Sequence, residues 1–193
     1  MEIYISTDLE ADGPIPGPHS MLALGASAFS ITRDEGVKLL SSFSVNLQEL
    51  EGATQDPATM EFWSKHHRAW EINRRYPVSP AVAMNRYLEW LERDLDGEPV
   101  FVAWPATFDF LFVYWYLMKF VGRSPFEWSG LDAKSYAMAI KRKRWLEVSM
   151  DDLGENVHVS PNSWPHVAVY DAKSQGWRIC QMIHDNMFGT TKK

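Results

Sequence analysis

Three apolar-rich stretches open the chain, "EIYISTDLEADG", "MLALGASAFSIT" and "GVKLLSSFSVNL", and each carries the β-branched and aromatic residues that suit a pleated strand. The first runs into the turn-rich "DGPIPGP", and "RDEG" with its hairpin chemistry parts the other two, so together they predict a three-stranded N-terminal meander. The pattern then lengthens to helical spacing. "DPATMEFWSKHHRAW" predicts a helix with Asp56 or Thr59 as its cap. "SPAVAMNRYLEWLERDL" repeats Val82, Leu88, Leu91 and Leu95 behind a Ser-Pro start. "PVFVAW" is short, apolar and bounded by turn residues, as a buried parallel strand would be. An aromatic helix from about Phe108 to Phe120 follows, closed by Gly122. "LDAKSYAMAIKRKRW" predicts a further helix, "NVHVSPNSWP" a loop, and the segment from about His166 to Met187 the last helix. Strands first, then helices alternating with a strand, predict a mixed α/β sheet with helices packed on it.

Composition narrows the class. At 193 residues, without internal repeat or linker-like tract, residues 1–193 are expected to form one domain. A hydrophobic share of 46% places the chain among globular rather than disordered sequences. The richest apolar run, "FDFLFVYWYLMKFVG", carries Asp109 and Lys119, so no membrane partner is expected. The first residues lead directly into a strand and show no export signal, and the lone cysteine, Cys180, excludes an internal disulfide framework and a cysteine-rich zinc site; a cytoplasmic location is expected. The net charge of -6 argues against a protein that grips long duplexes through their phosphates. It suits one that gathers carboxylates around cations.

Four acids stand in unusual places. Asp8 and Glu10, two apart on an extended strand, point to the same side roughly 7 Å apart. Such a pair either faces solvent where the strand frays or is relieved by a cation or a raised pKa. Asp109 sits in a strongly aromatic stretch, where it or Thr107 can cap the helix that opens there. Asp171 falls in the first turns of the last helix, where the dipole favours an acid whatever its role. His166 stands five residues earlier, a rotation of roughly 500° if both were helical, so the two would not share a face. Pro165 near the first turn lets His166 belong instead to the loop that enters the helix and swing back towards Asp171.

In order, the D-x-E of Asp8 and Glu10, an aspartate after Phe at Asp109, and the H-x-x-x-x-D of His166 and Asp171 resemble the three exonuclease motifs of the DEDD superfamily, with the histidine marking the DEDDh branch. The resemblance runs from Ile3 to roughly Trp177. It is strongest to small bacterial and phage 3′→5′ exoribonucleases related to a mycobacterial enzyme, and more distant to ribonuclease T and oligoribonuclease. One position departs: many relatives have asparagine four residues before the second-motif aspartate, and here it is Pro105. The resemblance implies a ribonuclease H-like fold and two Mg²⁺ or Mn²⁺ ions held by Asp8, Glu10, Asp109 and Asp171. It implies His166 as the general base, a role that an unperturbed pKa of about 6.5 suits. It also implies single-stranded RNA 3′ ends as the favoured substrate, DNA as the alternative, and a homodimer as a possible assembly. Terminal bases would stack on Met21, Leu22, Phe62, Trp63 and Phe108, with the backbone from Ala11 to Gly13 close to the ribose and its 2′-hydroxyl. The basic run of Lys141, Arg142, Lys143 and Arg144 is either a solvated helix end or a grip on upstream phosphates. His66 and His67 lie in a polar helical stretch, and His19, His158 and His184 have no partner visible in the sequence. Two other readings stay open: a catalytically idle nucleic-acid-binding domain and a small-molecule phosphodiesterase.

Overall fold

The computed structural model describes residues 1–155 and 164–189. β1 (Glu2–Ala11), β2 (Met21–Thr32) and β3 (Gly36–Asn46) form the expected antiparallel meander. β4 (Glu98–Ala103) pairs with β1 in parallel, and a two-residue β5 (Leu131–Asp132) extends the sheet to the order β3-β2-β1-β4-β5. The helices are α1 (Pro57–Ser64), α2 (His67–Asn73), α3 (Pro80–Arg93), α4 (Ala106–Phe120), α5 (Ala133–Lys141) and α6 (Ala168–Phe188).

The central strand β1 is buried on both faces, and its period of two sorts the side chains. Ile3, Ile5, Leu9 and Ala11 join the core with Tyr87 and Leu91 of α3 and Phe112 and Tyr116 of α4. Tyr4 points the other way, into a second core with Val102, Ala137, Ile179 and Cys180, which α5 and α6 cover. Asp8 and Glu10 have the same parity as Tyr4, so the strand itself directs both acids to the α6 side.

Several expectations need correction. The helix expected over 56–70 is two helices, broken at Lys65 and His66; the bend lets Trp63 and Ala69 pack together with Val167 in a small separate cluster. Asp56 is the α1 cap, accepting the Thr59 N–H at 2.8 Å. On α3 the buried stripe is Ala83, Met84, Tyr87, Leu88, Trp90 and Leu91, and Val82 faces solvent. Neither Thr107 nor Asp109 caps α4. Pro105, joined to Trp104 by a cis peptide bond, is the N-cap residue, and the Ala106 N–H donates to Asp132 at 2.9 Å. The other Asp132 oxygen accepts the Ser135 N–H at 2.7 Å, so one carboxylate caps two helices. The last helix begins at Ala168 rather than His166. Residues 156–163, most of the expected "NVHVSPNSWP" loop, lie outside the described residues. No helix among the described residues is long and apolar enough to cross a membrane.

Two glycines set how closely α6 lies on the sheet. Gly25 is the β2 partner of Asp8, and a Cβ built there would stand 2.2 Å from the Ala168 carbonyl carbon and from the Val169 nitrogen. At Gly176 a Cβ would meet the Phe29 ring at 2.3 Å. The Gly25 contact is backbone on backbone and cannot be relieved by a rotamer change. Gly25→Ala is therefore expected to cost about 1–3 kcal/mol, as overpacking does. Thermal melting checks this, and a variant that melts with the unsubstituted protein contradicts the close approach.

Candidate active site

Ser6 is the last residue of β1 that pairs with β4. Beyond it β1 has a free edge whose backbone groups need partners. α4 and α6 supply them: Asp109 Oδ1 accepts the Leu9 N–H at 3.1 Å, and Gln175 Nε2 donates to the Thr7 carbonyl at 2.6 Å. These bonds draw both helices to the stretch of β1 that bears Asp8 and Glu10. Asp109 is 3% exposed, Glu10 is buried, and Asp8 and Asp171 are half-buried.

The turn before α6 brings in the histidine. His166 has φ of 60°, and its N–H donates to Asp171 Oδ2 at 2.7 Å, so Asp171 closes the turn and folds His166 back as the sequence spacing suggests. One potential ligand atom each from Glu10, His166 and Asp171 lies within 4.8 Å of the other two. The Asn73 amide donates to the His166 carbonyl at 2.7 Å, and the rings of Phe62 and His66 stand 4.9 and 4.6 Å from the imidazole.

All four carboxyls are held above their ordinary pKa. Burial is the first cause for each. The charges of Asp109, Glu10 and Asp171 add to it for Asp8, and those of Asp171 and Asp109 raise Glu10 to about 8. Backbone N–H donors partly offset the rise for Asp109 and Asp171. Burial, and then His66, push His166 below its ordinary value against the opposing pull of Asp171. Among the described residues no lysine or arginine pairs with any of the four acids. Clustered hard oxygen donors with no protein cation among them fit a divalent metal such as Mg²⁺ or Mn²⁺.

A carboxyl whose folded pKa exceeds its unfolded value binds a proton that the unfolded chain has lost, so the contribution of Glu10 to the stability of the metal-free protein is full below its ordinary pKa of 4.5. That stability falls as pH rises through the value of about 8 for Glu10. Mn²⁺ removes the repulsion, and at a hundred times its dissociation constant is expected to add about 2.7 kcal/mol. Melting curves at pH 6 and pH 8, with and without Mn²⁺, check both; equal metal-free curves with no Mn²⁺ effect contradict the arrangement.

Beside Glu10 opens a cleft of about 230 Å³ lined by Ala11, Gly13, Thr59, Phe62, Trp63 and Phe108, among others. Five expected substrate contacts thus line one space. Met21 and Leu22 do not: both are 0% exposed in the core, because β2 is sandwiched between helices on both faces, and neither offers a surface to a base. The basic run is also elsewhere. Only Lys141 is helical, Arg142 turns into the left-handed region, and Lys143 pairs with Asp152. α5 follows its cap Asp132, beside the start of α4, and its nine residues carry the run roughly 13 Å from that cap. The sequence reading missed Asn73, Gln175 and Gly25. Only Gly25 left a signal, since a glycine inside an apolar strand marks a close backbone approach.

No protein-family model matches the chain. The 3′-5′ DNA exonuclease Cap18 of Escherichia coli is 31% identical over 180 residues, covering 90% of this chain and 88% of its own. The nuclease domain of 3′hExo, a DEDDh family member bound to rAMP, superposes with a TM-score of 0.69 at 8% identity, over 99% of this chain and 96% of its own. S. pombe Pop2p in its Mg²⁺- and Mn²⁺-bound form gives 0.64 at 12% identity, over 98% and 86%. These two likenesses show the ribonuclease H-like α/β fold.

Proposed function

The chain belongs to the DEDDh family of 3′→5′ exonucleases, and on that premise we propose that it removes nucleoside 5′-monophosphates from the 3′ end of single-stranded DNA. The observation that carries this reading is the meeting of Asp8, Glu10, Asp109 and Asp171 around the end of β1, with His166 facing Glu10 and Asp171. Two Mg²⁺ or Mn²⁺ ions held there would supply positive charge to the entering and departing oxygens of an in-line displacement. Asp8, Glu10 and Asp171 would hold one, and Asp8 and Asp109 the other. Asp109 keeps one oxygen on the Leu9 N–H and Asp171 keeps one on the His166 N–H, so each has a second oxygen to offer.

His166 is the base. Burial and His66 lower its pKa, so its imidazole is neutral and holds a free lone pair at neutral pH. It takes a proton from the attacking water as the water oxygen bonds to phosphorus. The bond from phosphorus to the 3′ oxygen of the penultimate nucleotide breaks, that oxygen keeps the electron pair and is protonated, and His166 returns its proton to solvent.

One observation supports DNA over the RNA that the sequence suggested: the relative at 31% identity is a DNA exonuclease. The test follows 5′-labelled DNA and RNA of one sequence in Mn²⁺. The expected result is a ladder shortening from the 3′ end, faster for DNA. Faster RNA loss overturns the sugar assignment, and no shortening of either overturns the function.

A further inference from the structure

His166 occupies a backbone conformation that residues with a side chain rarely adopt, with φ of 60°. Something must hold it there. Two parts of the molecule do so from opposite sides. On the α6 side, Asp171 accepts its N–H. On the other side stands the arm formed by α1 and α2. Asn73, the last residue of α2, is 2% exposed and donates its side-chain amide to the His166 carbonyl, 93 residues away in sequence. A buried amide is costly unless hydrogen-bonded, and this one bonds to the residue whose ring faces the carboxylates.

The ring is gripped by the same arm. His66 stacks on Phe62 with centroids 4.2 Å apart and planes at 28°. Its Nδ1 lies 2.9 Å from the Phe62 carbonyl, which can only accept, so Nδ1 is the donor and the orientation of His66 is fixed. Against this pair the His166 imidazole packs edge-on, at 90° to Phe62 and 72° to His66. Phe62, Trp63 and Thr59 of the arm also line the cleft beside Glu10.

We propose that the α1–α2 arm positions the base: Asn73 fixes the backbone of His166 and His66 fixes its ring, so that the imidazole faces Glu10 and Asp171. Both are positioning residues and neither touches the reacting atoms. The proposal rests on His166 being the base, and the experiment separates the two claims.

The measurement is kcat and KM for release of the 3′ nucleotide from 5′-labelled single-stranded DNA in Mn²⁺. The variants are Asn73→Leu, His66→Ala and His66→Phe, each alone and combined with His166→Ala, with melting curves to confirm folding. Displacing a catalytic group by about 1 Å can cost ~10²-fold. Asn73→Leu and His66→Ala are expected to lower kcat at least about tenfold with KM within about twofold, as for interactions that matter only in the transition state. His66→Phe, which keeps the stacked ring, is expected to recover most of the His66→Ala loss. In the His166→Ala background none of the three is expected to lower kcat further, because residues acting through one partner are not additive. Unchanged kcat in the single variants, or an equal loss with and without His166, overturns the positioning claim while the base assignment stands. Full activity of His166→Ala overturns the base assignment and the proposal with it. If Asn73→Leu shows no cooperative melt, the His66→Ala and His66→Phe pair decides.

Discussion

Asp8→Asn is expected to lower 3′-end hydrolysis by at least ~10³-fold while raising the melting temperature of the metal-free protein. The two effects have one cause. Asp8 lies on the central strand where α4 and α6 converge, and burial followed by the charges of Asp109, Glu10 and Asp171 disfavours its ionisation. An amide of the same shape removes that repulsion, so the metal-free fold gains stability. It also removes a carboxylate that, on the proposed function, would hold divalent cations. Sites built for chemistry commonly show this opposition between stability and activity. A loss of activity with a lower melting temperature would mean that Asp8 holds the fold together rather than serving a reaction.

His166→Ala is expected to reduce kcat ~10²–10⁴-fold, the range for removal of a general base. KM and the melting temperature should change little. The side chain lies in a turn, half-buried, and alanine is no less strained than histidine at that φ. The pH profile gives a second readout. A base must be deprotonated to act, and the pKa of His166 lies below its ordinary 6.5. The kcat of the unsubstituted enzyme should therefore rise on the acid side of that value and be level above it, and His166→Ala should lose that rising limb. A profile unchanged by the substitution would assign the limb to another group.

The parts of the site legible in the sequence are those set by local geometry. The period of two on β1 puts Asp8 and Glu10 on one face, and the proline before His166 marks the turn that lets H-x-x-x-x-D close on itself through the bond from the His166 N–H to Asp171. What stayed hidden depends on neighbours distant in sequence. Asn73 and Gln175 read as ordinary helical polar residues, and their roles exist only because α2 meets the turn before α6 and α6 crosses β1. Met21 and Leu22 looked available because they follow a turn, yet β2 lies inside the sheet with both faces covered. Asp109 looked like a cap because it opens a helix, but the capping carboxylate is Asp132, from a strand of two residues too short to leave a periodic signal. The basic run drew attention by its charge, and charge alone says nothing of how the end of α5 lies relative to the carboxylates.

The central claim is that Asp8, Glu10, Asp109 and Asp171 hold divalent cations that drive hydrolysis at a 3′ end. Its most direct test is the release of 3′-terminal nucleotide from single-stranded DNA by the unsubstituted protein and by Asp8→Asn, each in Mn²⁺ and in chelator, with melting curves showing both proteins folded. The account predicts stepwise release by the unsubstituted protein in Mn²⁺ alone and essentially none by Asp8→Asn in either condition. Release that persists in chelator, or that survives in the folded Asp8→Asn variant, would contradict it.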